Sequence, residues 1–339
     1  MNVTVLMSVH NGLPYVAEAV NSILAQTFGD FEFLILDDAS TDGTREFLGT
    51  LNDPRIRVIH LPQNIGLTAA LNLGLAEARG EVVARQDADD LSDPRRLELQ
   101  LGFLSGHPSC AVVGSQVRLI DGRGRSLGKK DFPLGFRGIA FAHLFDNALA
   151  HSSVCFRKAA IISAGRYDEA WTASQDYELW SRMSARHALA NLPERLVTLR
   201  VLGTSITQTH KRPELIRRVQ ARHFQQLFAA PPSDAELDLI ALFRTRVPPE
   251  RLREFRELLD DLVARSGEER TPDFRRTLAQ IHERVGYNLL TSNRIAGLSE
   301  ILCAVKLWVP AVFGIPWWRV AALAALGDSA RRIYDKTRK

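Results

Sequence analysis

The sequence predicts an α/β protein, in which a mostly parallel sheet is flanked by helices and followed by a helical C-terminal region. Short apolar runs alternate with segments of helical periodicity over the first hundred residues, which is typical of βαβ units. Polar or acidic residues follow several of those runs directly. From residue 211 onward, helical patterns are separated by breaks that contain Pro, Ser or Gly.

The first three strands and helices follow from apolar runs of strand length and from helical periodicity. The first helix carries Val16, Ala19 and Val20 on one face, and the turn His10–Gly12 precedes it. Gly80 ends the third helix. Strands are therefore predicted at 3–9, 31–36 and 57–61, and helices at 15–26, 44–51 and 67–78.

The same reasoning extends along the rest of the chain. Further strands are predicted at 81–84, 111–120 and 151–157, and further helices at 95–106 and 139–149. Residues 122–130 are rich in Gly and Lys and predict an exposed loop. A helix is expected to begin near Asp176. The C-terminal helices are predicted at 213–228, 234–243, 250–264 and 273–288.

Composition and length place the chain among ordinary folded proteins. Its 339 residues, with 45% hydrophobic and 24% charged residues, allow one large domain with an appendage or two domains. We expect a catalytic domain over residues 1–210 and a helical region over 211–339. The first part has a net charge of −3 and the second +7, which favours a cation site in the first and an anionic partner for the second.

The expected location is the cytoplasm. Cys110, Cys155 and Cys303 lack metal-ligand spacing, the N-terminus lacks a signal-peptide pattern, and no apolar run reaches about 20 residues. Residues 298–326 are strongly apolar and carry three tryptophans beside cations, which is typical of a membrane interface. They can equally form a helix that packs on its own domain or on a second copy in a homo-oligomer.

Three polar clusters follow strands that should end at one edge of the sheet: Ser8–Asn11, Asp37–Asp38 and Asp87–Asp90. Open α/β sheets bind ligands at that edge. The carboxylates of the third cluster repel one another and require a cation or strong donors, unless the cluster is a solvated loop that caps the next helix. The chain contains neither G-x-G-x-x-G after its first strand nor a P-loop, which disfavours dinucleotide oxidoreductases and P-loop NTPases.

Six motifs, in order, resemble an inverting family 2 glycosyltransferase of the GT-A fold, whose sheet is Rossmann-like. The resemblance covers residues 1 to about 206 and implies transfer from a nucleotide-sugar, with a UDP-sugar expected, to a hydroxyl of a glycan or lipid-linked glycan in polysaccharide biosynthesis of the cell envelope. No role with nucleic acid is implied. The motifs are Ser8–Gly12, Ile23–Thr27, Asp37–Gly43, Asn64–Gly66, Ala84–Asp90 and Gln175–Trp180.

The resemblance also implies roles for individual residues. Asp176 matches the catalytic base, although Gln175 stands where relatives often have Glu. Asp89 matches the direct ligand of Mg²⁺ or Mn²⁺, with Asp87 near the metal or the ribose, and Asp38 matches the aspartate that reads the base. The implied nucleotide-sugar contacts are Ser8, His10, Asn11, Asp38, Asn64, Gly66, Arg85 and Asp87, and the acceptor side has His151, Gln175 and Trp180.

Several alternatives stay open at this stage. Arg85 either faces the diphosphate or only screens Asp87 and Asp89. Asp90 either supports the metal ligands or caps the next helix. Leu202 stands where relatives often carry a histidine, and His210 is an open substitute for it.

Two other functions remain as alternatives. One is a nucleotidyltransferase, although the loop after the first strand lacks the Gly-rich, basic character expected of that class. The other is a non-catalytic module that binds a sugar nucleotide or a glycan. The sequence does not name the sugar, the acceptor or the linkage.

Overall fold

The computed structural model describes residues 2–203, 212–267 and 271–290, together with residues 296, 297, 299, 300 and 303. The chain forms two compact units. The first comprises residues 1–132 and 149–215, and the second comprises residues 133–148 and 216–339. This division differs from the predicted boundary at residue 210, because it places residues 133–148 with the helical unit.

The first unit is built on one mixed sheet. The strands are β1 Val3–Val9, β2 Glu32–Asp37, β3 Ile56–His60, β4 Val82–Asp87, β5 Leu91–Ser92, β6 Cys110–Asp121, β7 Ser126–Lys130, β8 Cys155–Arg157 and β9 Ala188–Val201. Their order in the sheet is β3-β2-β1-β4-β8-β6-β9-β5, and β7 pairs with β6. The pairs β1–β2, β2–β3, β1–β4 and β6–β9 are parallel, and the other pairs are antiparallel.

Helices cover this sheet because their apolar faces match its buried side chains. Val16, Ala19 and Val20 of the first helix pack with Val5 and Met7 of β1 in one core cluster. The helices of this unit are α1 Val16–Leu24, α2 Thr44–Gly49, α3 Leu67–Glu77, α4 Arg96–Gly106, α6 Lys158–Ser163 and α7 Gln175–Ser184, with a 3₁₀ turn at His151–Ser153.

The second unit is helical. Phe141 packs against Phe274, and Phe145 packs against Phe243. These contacts with the later helical segments explain why residues 133–148 join this unit. No helix in the described part of the chain is long and apolar enough to cross a membrane. Residues 298–326 lie outside the described residues except for 299, 300 and 303. The helices are α5 Phe136–Ala142, α8 Pro213–Phe228, α9 Asp234–Leu242, α10 Leu252–Arg265 and α11 Pro272–Leu290, with a 3₁₀ turn at Pro249–Arg251.

The predicted fold class is confirmed, a loop prediction and a strand prediction are wrong, and β9 was not predicted. Residues 126–130, expected in a loop, form β7 because they pair with the end of β6. The strand expected at 151–157 is a 3₁₀ turn followed by the short β8. The sequence of β9 gave no strand signal, since Pro193-Glu194-Arg195 interrupts its apolar run; the register with β6 shifts at this point.

Candidate active site

The carboxyl ends of β1, β2 and β4 lie side by side and bring the predicted site residues together. Ser8 is the register partner of Asp87 across β1 and β4, and Val9 is the partner of Asp37 across β1 and β2. These strands are parallel, so the residues that follow them share one edge of the sheet. The sequence predicted this convergence correctly.

Asp38 organises the turn that contains Asn64 and Gly66. Its Oδ1 accepts a hydrogen bond from the Ile65 amide at 2.7 Å, and its Oδ2 accepts one from the Gly66 amide at 2.9 Å. Asn64 Oδ1 also accepts from the Gly66 amide at 3.0 Å, and Gly66 has a φ of 84° that favours glycine. Asp38 is 2% exposed, and each carboxylate oxygen retains a lone pair for a further donor.

His10 and Asn11 form the neighbouring wall. His10 Nδ1 donates to the Asp38 carbonyl oxygen at 2.7 Å, and Asn11 Nδ2 donates to His10 Nε2 at 3.3 Å. The first bond requires a proton on Nδ1, because a carbonyl oxygen only accepts, so the neutral ring has a defined tautomer. The ring is exposed and remains available for the predicted contact with a nucleotide base.

Asp37 has a structural role beneath this wall. The buried carboxylate accepts hydrogen bonds from His60 Nδ1 and Arg45 Nε, each at 2.8 Å, and from the Ser40 amide at 2.9 Å. Burial alone would raise the pKa of Asp37, but the donors from His60, Arg45 and Ser40 outweigh it and lower the pKa to about 2. The residue therefore stays ionised and fixes the end of β2.

The acidic cluster forms a compact group of oxygen ligands. Carboxylate oxygens of Asp87, Asp89 and Asp90 lie within 4.8 Å of one another. Burial, with the charge of Asp87, raises the pKa of Asp89 to about 6, and burial also raises the pKa of Asp90 well above its usual range. Crowded carboxylates with raised pKa values fit a divalent cation, which prefers oxygen ligands and offsets their repulsion.

Asp90 is anchored differently from its neighbours. Its side chain is buried, and Oδ1 accepts a hydrogen bond from the Arg200 amide at 2.8 Å. Ser152 also donates to this carboxylate. The alternative that Asp90 caps the next helix is wrong, because α4 has no side-chain cap and the Asp90 carboxylate is held by β9 and the 3₁₀ turn.

We expect Asp90→Asn to change the Mn²⁺ dissociation constant by roughly fivefold at most, the effect of about one altered hydrogen bond. Asparagine keeps the oxygen that accepts from Arg200 and has nearly the same shape. Titration of the protein with Mn²⁺, followed by electron paramagnetic resonance, measures this. A loss of Mn²⁺ binding as large as that of Asp89→Asn would show that Asp90 is itself a ligand.

Arg200 is a site residue that the sequence did not reveal. Its Nε donates to the Asp89 carbonyl oxygen at 3.0 Å, and its Nη2 donates to Glu18 at 2.8 Å. Its guanidinium lies over the Tyr15 ring at 4.3 Å. Together with the amide bond to Asp90, these contacts tie the acidic cluster to α1 and β9.

Arg85 lies beneath the cluster and contacts Asp87. The side chain is 1% exposed, and Nη1 forms an ion pair with Asp87 Oδ2. Nε and Nη2 have no hydrogen-bond acceptor among the described residues. Of the two roles left open by the sequence, this placement favours charge compensation of Asp87 over contact with a diphosphate.

A second buried layer shapes the loop that follows β4. Gln86 Nε2 donates to the carbonyl oxygens of Asp87 and Asp90 at 3.0 and 2.8 Å. Arg96 in turn donates to Gln86 Oε1 and to the Arg85 carbonyl oxygen, at 3.0 and 2.7 Å. Gln86 belongs to the motif Ala84–Asp90, but no local pattern indicates its hydrogen bonds to the loop, and Arg96 lies outside the six motifs.

Asp176 lies in the first turn of α7, where the helix dipole stabilises negative charge. Burial raises the pKa of the Tyr167 hydroxyl, and the positive charge of Arg85 lowers it. The negative charges of Asp176 and Asp87 raise this pKa further. The charges of Asp176 and Asp87 therefore both act on Tyr167, a residue that sequence reasoning missed.

The three residues predicted on the acceptor side are largely enclosed by the protein. Trp180 is 0% exposed and packs against Phe156 and His151, so it supports α7 from the core. His151 belongs to the 3₁₀ turn, where its Nε2 shares a 2.8 Å hydrogen bond with the Tyr167 hydroxyl. Gln175 is largely buried at the start of α7. His210 lies outside the described residues.

Comparison with known proteins supplies the family. The profile of Glycosyl transferase family 2 matches residues 4–162. A protein of Haemophilus influenzae named as an uncharacterized glycosyltransferase is 29% identical over 232 residues, which cover 64% of this chain and 72% of that protein. The amylovoran biosynthesis glycosyltransferase AmsE of Erwinia amylovora is 33% identical over 186 residues, which cover 54% of this chain and 69% of AmsE.

A solved structure shares the fold. The crystal structure of S. aureus TarS 1-349 in complex with UDP-GlcNAc aligns with a TM-score of 0.58 and 18% sequence identity. The alignment covers 93% of this chain and 92% of that chain. At this identity the similarity concerns the fold alone.

Proposed function

The chain belongs to glycosyl transferase family 2, and from that premise we propose that it is an inverting, metal-dependent enzyme that uses a nucleotide-sugar donor. The acceptor in this proposal is a hydroxyl of a glycan or a lipid-linked glycan. AmsE is named for amylovoran biosynthesis, which supports an acceptor of this kind. Because the family is one of glycosyltransferases, it argues against a nucleotidyltransferase and against a non-catalytic binding module.

The observation that carries the proposal is the shared edge of β1, β2 and β4. Asp38 follows β2, and the acidic cluster of Asp87, Asp89 and Asp90 follows β4, with β1 between these strands. A nucleotide base next to Asp38 would thus place its diphosphate toward the cluster. The name of the TarS complex, which contains UDP-GlcNAc, supports a UDP-sugar as donor.

Asp89 and Asp87 would hold Mg²⁺ or Mn²⁺, because both are less buried than Asp90 and their carboxylates are not held by β9. Asp89 is the direct ligand in this proposal. Arg85 holds the Asp87 carboxylate in place, and Arg200 holds the Asp89 backbone. The bound metal would supply positive charge opposite the negative charge that develops on the leaving diphosphate.

Asp176 is the proposed base. Its carboxylate accepts the proton of the acceptor hydroxyl while the hydroxyl oxygen forms a bond to the anomeric carbon of the donor. The bond from that carbon to the diphosphate oxygen breaks on the opposite face, so the configuration inverts. The first turn of α7 favours negative charge at this position, and Tyr167, hydrogen-bonded to the buried His151, shapes the surroundings of the carboxylate.

We expect the correct donor to raise the melting temperature only when Mg²⁺ or Mn²⁺ is present. A ligand at about 100 times its Kd adds about 2.7 kcal/mol, which corresponds to roughly 5–10 °C for a unit of this size. Differential scanning fluorimetry with UDP-, GDP- and dTDP-sugars, with and without EDTA, measures this shift. Equal stabilisation in EDTA would contradict metal dependence, and no shift with any sugar nucleotide would contradict donor binding.

A further inference from the structure

We propose that the hairpin of residues 117–131, called here the basic hairpin, binds a phosphate group that belongs to the acceptor. This inference rests on the proposed function, because it names the acceptor as one that carries phosphate. The basic hairpin comprises the end of β6, a Gly-containing turn and β7. It carries five cationic and two acidic residues.

The two strands of the basic hairpin place like charges opposite each other. Arg118 and Lys129 are register partners on antiparallel strands, and both are exposed. Like charges at directly opposite positions destabilise a strand pair. An anion bound between them would remove that repulsion.

The acidic residues of the basic hairpin are already paired and do not neutralise these cations. Asp121 forms an ion pair with Arg125 and accepts the amide of Arg123 at 2.9 Å, and Asp131 pairs with Arg195. Among the residues that the structure describes, no carboxylate lies within 4.0 Å of the side-chain nitrogens of Arg118, Arg123 or Lys129. Arg118 Nη1 donates to the Arg195 carbonyl oxygen at 2.8 Å, which is a neutral acceptor. Within the described part of the chain, the basic hairpin therefore presents three exposed cations without a carboxylate partner.

The turn of the basic hairpin lies at the same end of the sheet as the acidic cluster. Ile120 is the parallel register partner of Arg200, and neighbouring strands are about 4.8 Å apart. Arg200 in turn donates to the Asp89 carbonyl oxygen. The Tyr15 hydroxyl donates to the Gly122 carbonyl oxygen at 3.2 Å, which fixes the turn next to α1. A group held here would be adjacent to the site of transfer.

The chemistry of the surface fits phosphate attached to an apolar carrier. Arginine guanidinium groups match phosphate oxygens in a fork geometry, and lysine adds a point charge. Leu127, at 54% exposure, is an apolar side chain among these cations. A phosphate group next to an apolar chain is found both in the headgroups of a lipid bilayer and in a molecule free of any bilayer. The two arms of the experiment below distinguish these sources.

The test compares two triple variants of the whole chain with the same change in charge. Arg118→Gln/Arg123→Gln/Lys129→Gln removes the exposed cations of the basic hairpin. Arg246→Gln/Arg253→Gln/Arg275→Gln removes three exposed cations of the helical unit and is the matched control. Co-sedimentation with vesicles of phosphatidylcholine and phosphatidylglycerol is the first arm, and calorimetric titration with inorganic pyrophosphate in EDTA is the second.

We expect the hairpin variant to lose roughly 100-fold in partitioning onto the anionic vesicles, since each cation near such a surface contributes about a factor of five. The control variant should keep wild-type partitioning. Loss in both arms supports a phosphate site on the basic hairpin, as expected for a phosphate of the acceptor. Loss with vesicles alone shows a contact with bilayer headgroups and overturns the assignment to the acceptor. Wild-type behaviour of the hairpin variant in both arms overturns the proposal, as does an equal loss in the control.

The thermal shift with a sugar nucleotide and metal tests the proposed function separately from the proposal about the basic hairpin. The hairpin variant should retain the wild-type shift, because its substitutions lie outside the donor site, and the same measurement shows that it folds. Absence of that shift in the wild type contradicts the proposed function and leaves the vesicle result as evidence on the surface alone.

Discussion

Asp89→Asn is expected to lower turnover by about 10³-fold or more and to abolish metal-dependent stabilisation by the donor. Asparagine keeps the shape of the side chain and removes the negative charge that the proposed metal requires. The charge stabilisation supplied by a catalytic metal amounts to several kcal/mol, and each 1.36 kcal/mol corresponds to a factor of ten. Release of nucleoside diphosphate and titration with Mn²⁺ measure the two effects.

Asp90→Asn is the matched control for this prediction, since it makes the same chemical change at the next position. The two carboxylates differ in what holds them: Asp90 accepts the Arg200 amide, whereas Asp89 is more exposed. We expect Mn²⁺ binding to distinguish the two variants sharply. Unchanged Mn²⁺ affinity in Asp89→Asn would remove this residue from the metal site.

Asp176→Asn is expected to reduce kcat by about 10²–10⁴-fold, the usual contribution of a positioned general base. Donor binding should be unchanged, because Asp176 lies on α7 and not at the shared edge of β1, β2 and β4. Steady-state kinetics with a fixed donor measure kcat and KM separately, and the thermal shift with donor and metal reports on binding.

Glu169→Gln provides the comparison for Asp176→Asn. Glu169 is an exposed carboxylate in the loop before α7, and its contact is with Asn72 on α3. It should leave kcat within about threefold of wild type, as expected for a surface side chain outside the reaction. Near-normal kcat in Asp176→Asn would instead show that another group accepts the proton.

Much of the site was predictable because its residues follow strands. Continuous apolar runs predict β1, β2 and β4, and the carboxyl ends of parallel strands must share an edge. The positions of Ser8, Asp38 and Asp87 follow from that rule together with short motifs. The sequence did not predict β7 and β9, because both lack the alternation or the continuous apolar character that is typical of strands. These segments are strands because they pair with β6.

Tertiary contacts also changed the interpretation of single residues. Trp180 belongs to a motif, yet the core encloses it, and Arg85 belongs to a motif, yet it lies under the carboxylates rather than in front of them. Arg200 reaches the acidic cluster through a hydrogen bond to Asp89, 111 positions away, and Tyr167 hydrogen-bonds to His151 and feels the charges of Asp87 and Asp176. None of these interactions has a signature in local sequence.

The sequence by itself determined the α/β fold class, the edge at which the ligand site forms, and the chemical types of its acidic groups, because these depend on periodicity and on residue type. The tertiary structure decided what holds each carboxylate and how exposed it is. Asp87, Asp89 and Asp90 are equivalent in local sequence, but Arg85 lies beneath Asp87, a β9 amide binds the Asp90 carboxylate, and only Asp90 is buried. Burial and hydrogen bonding to distant strands set the ionisation of a carboxylate, and those arise only when the chain is folded.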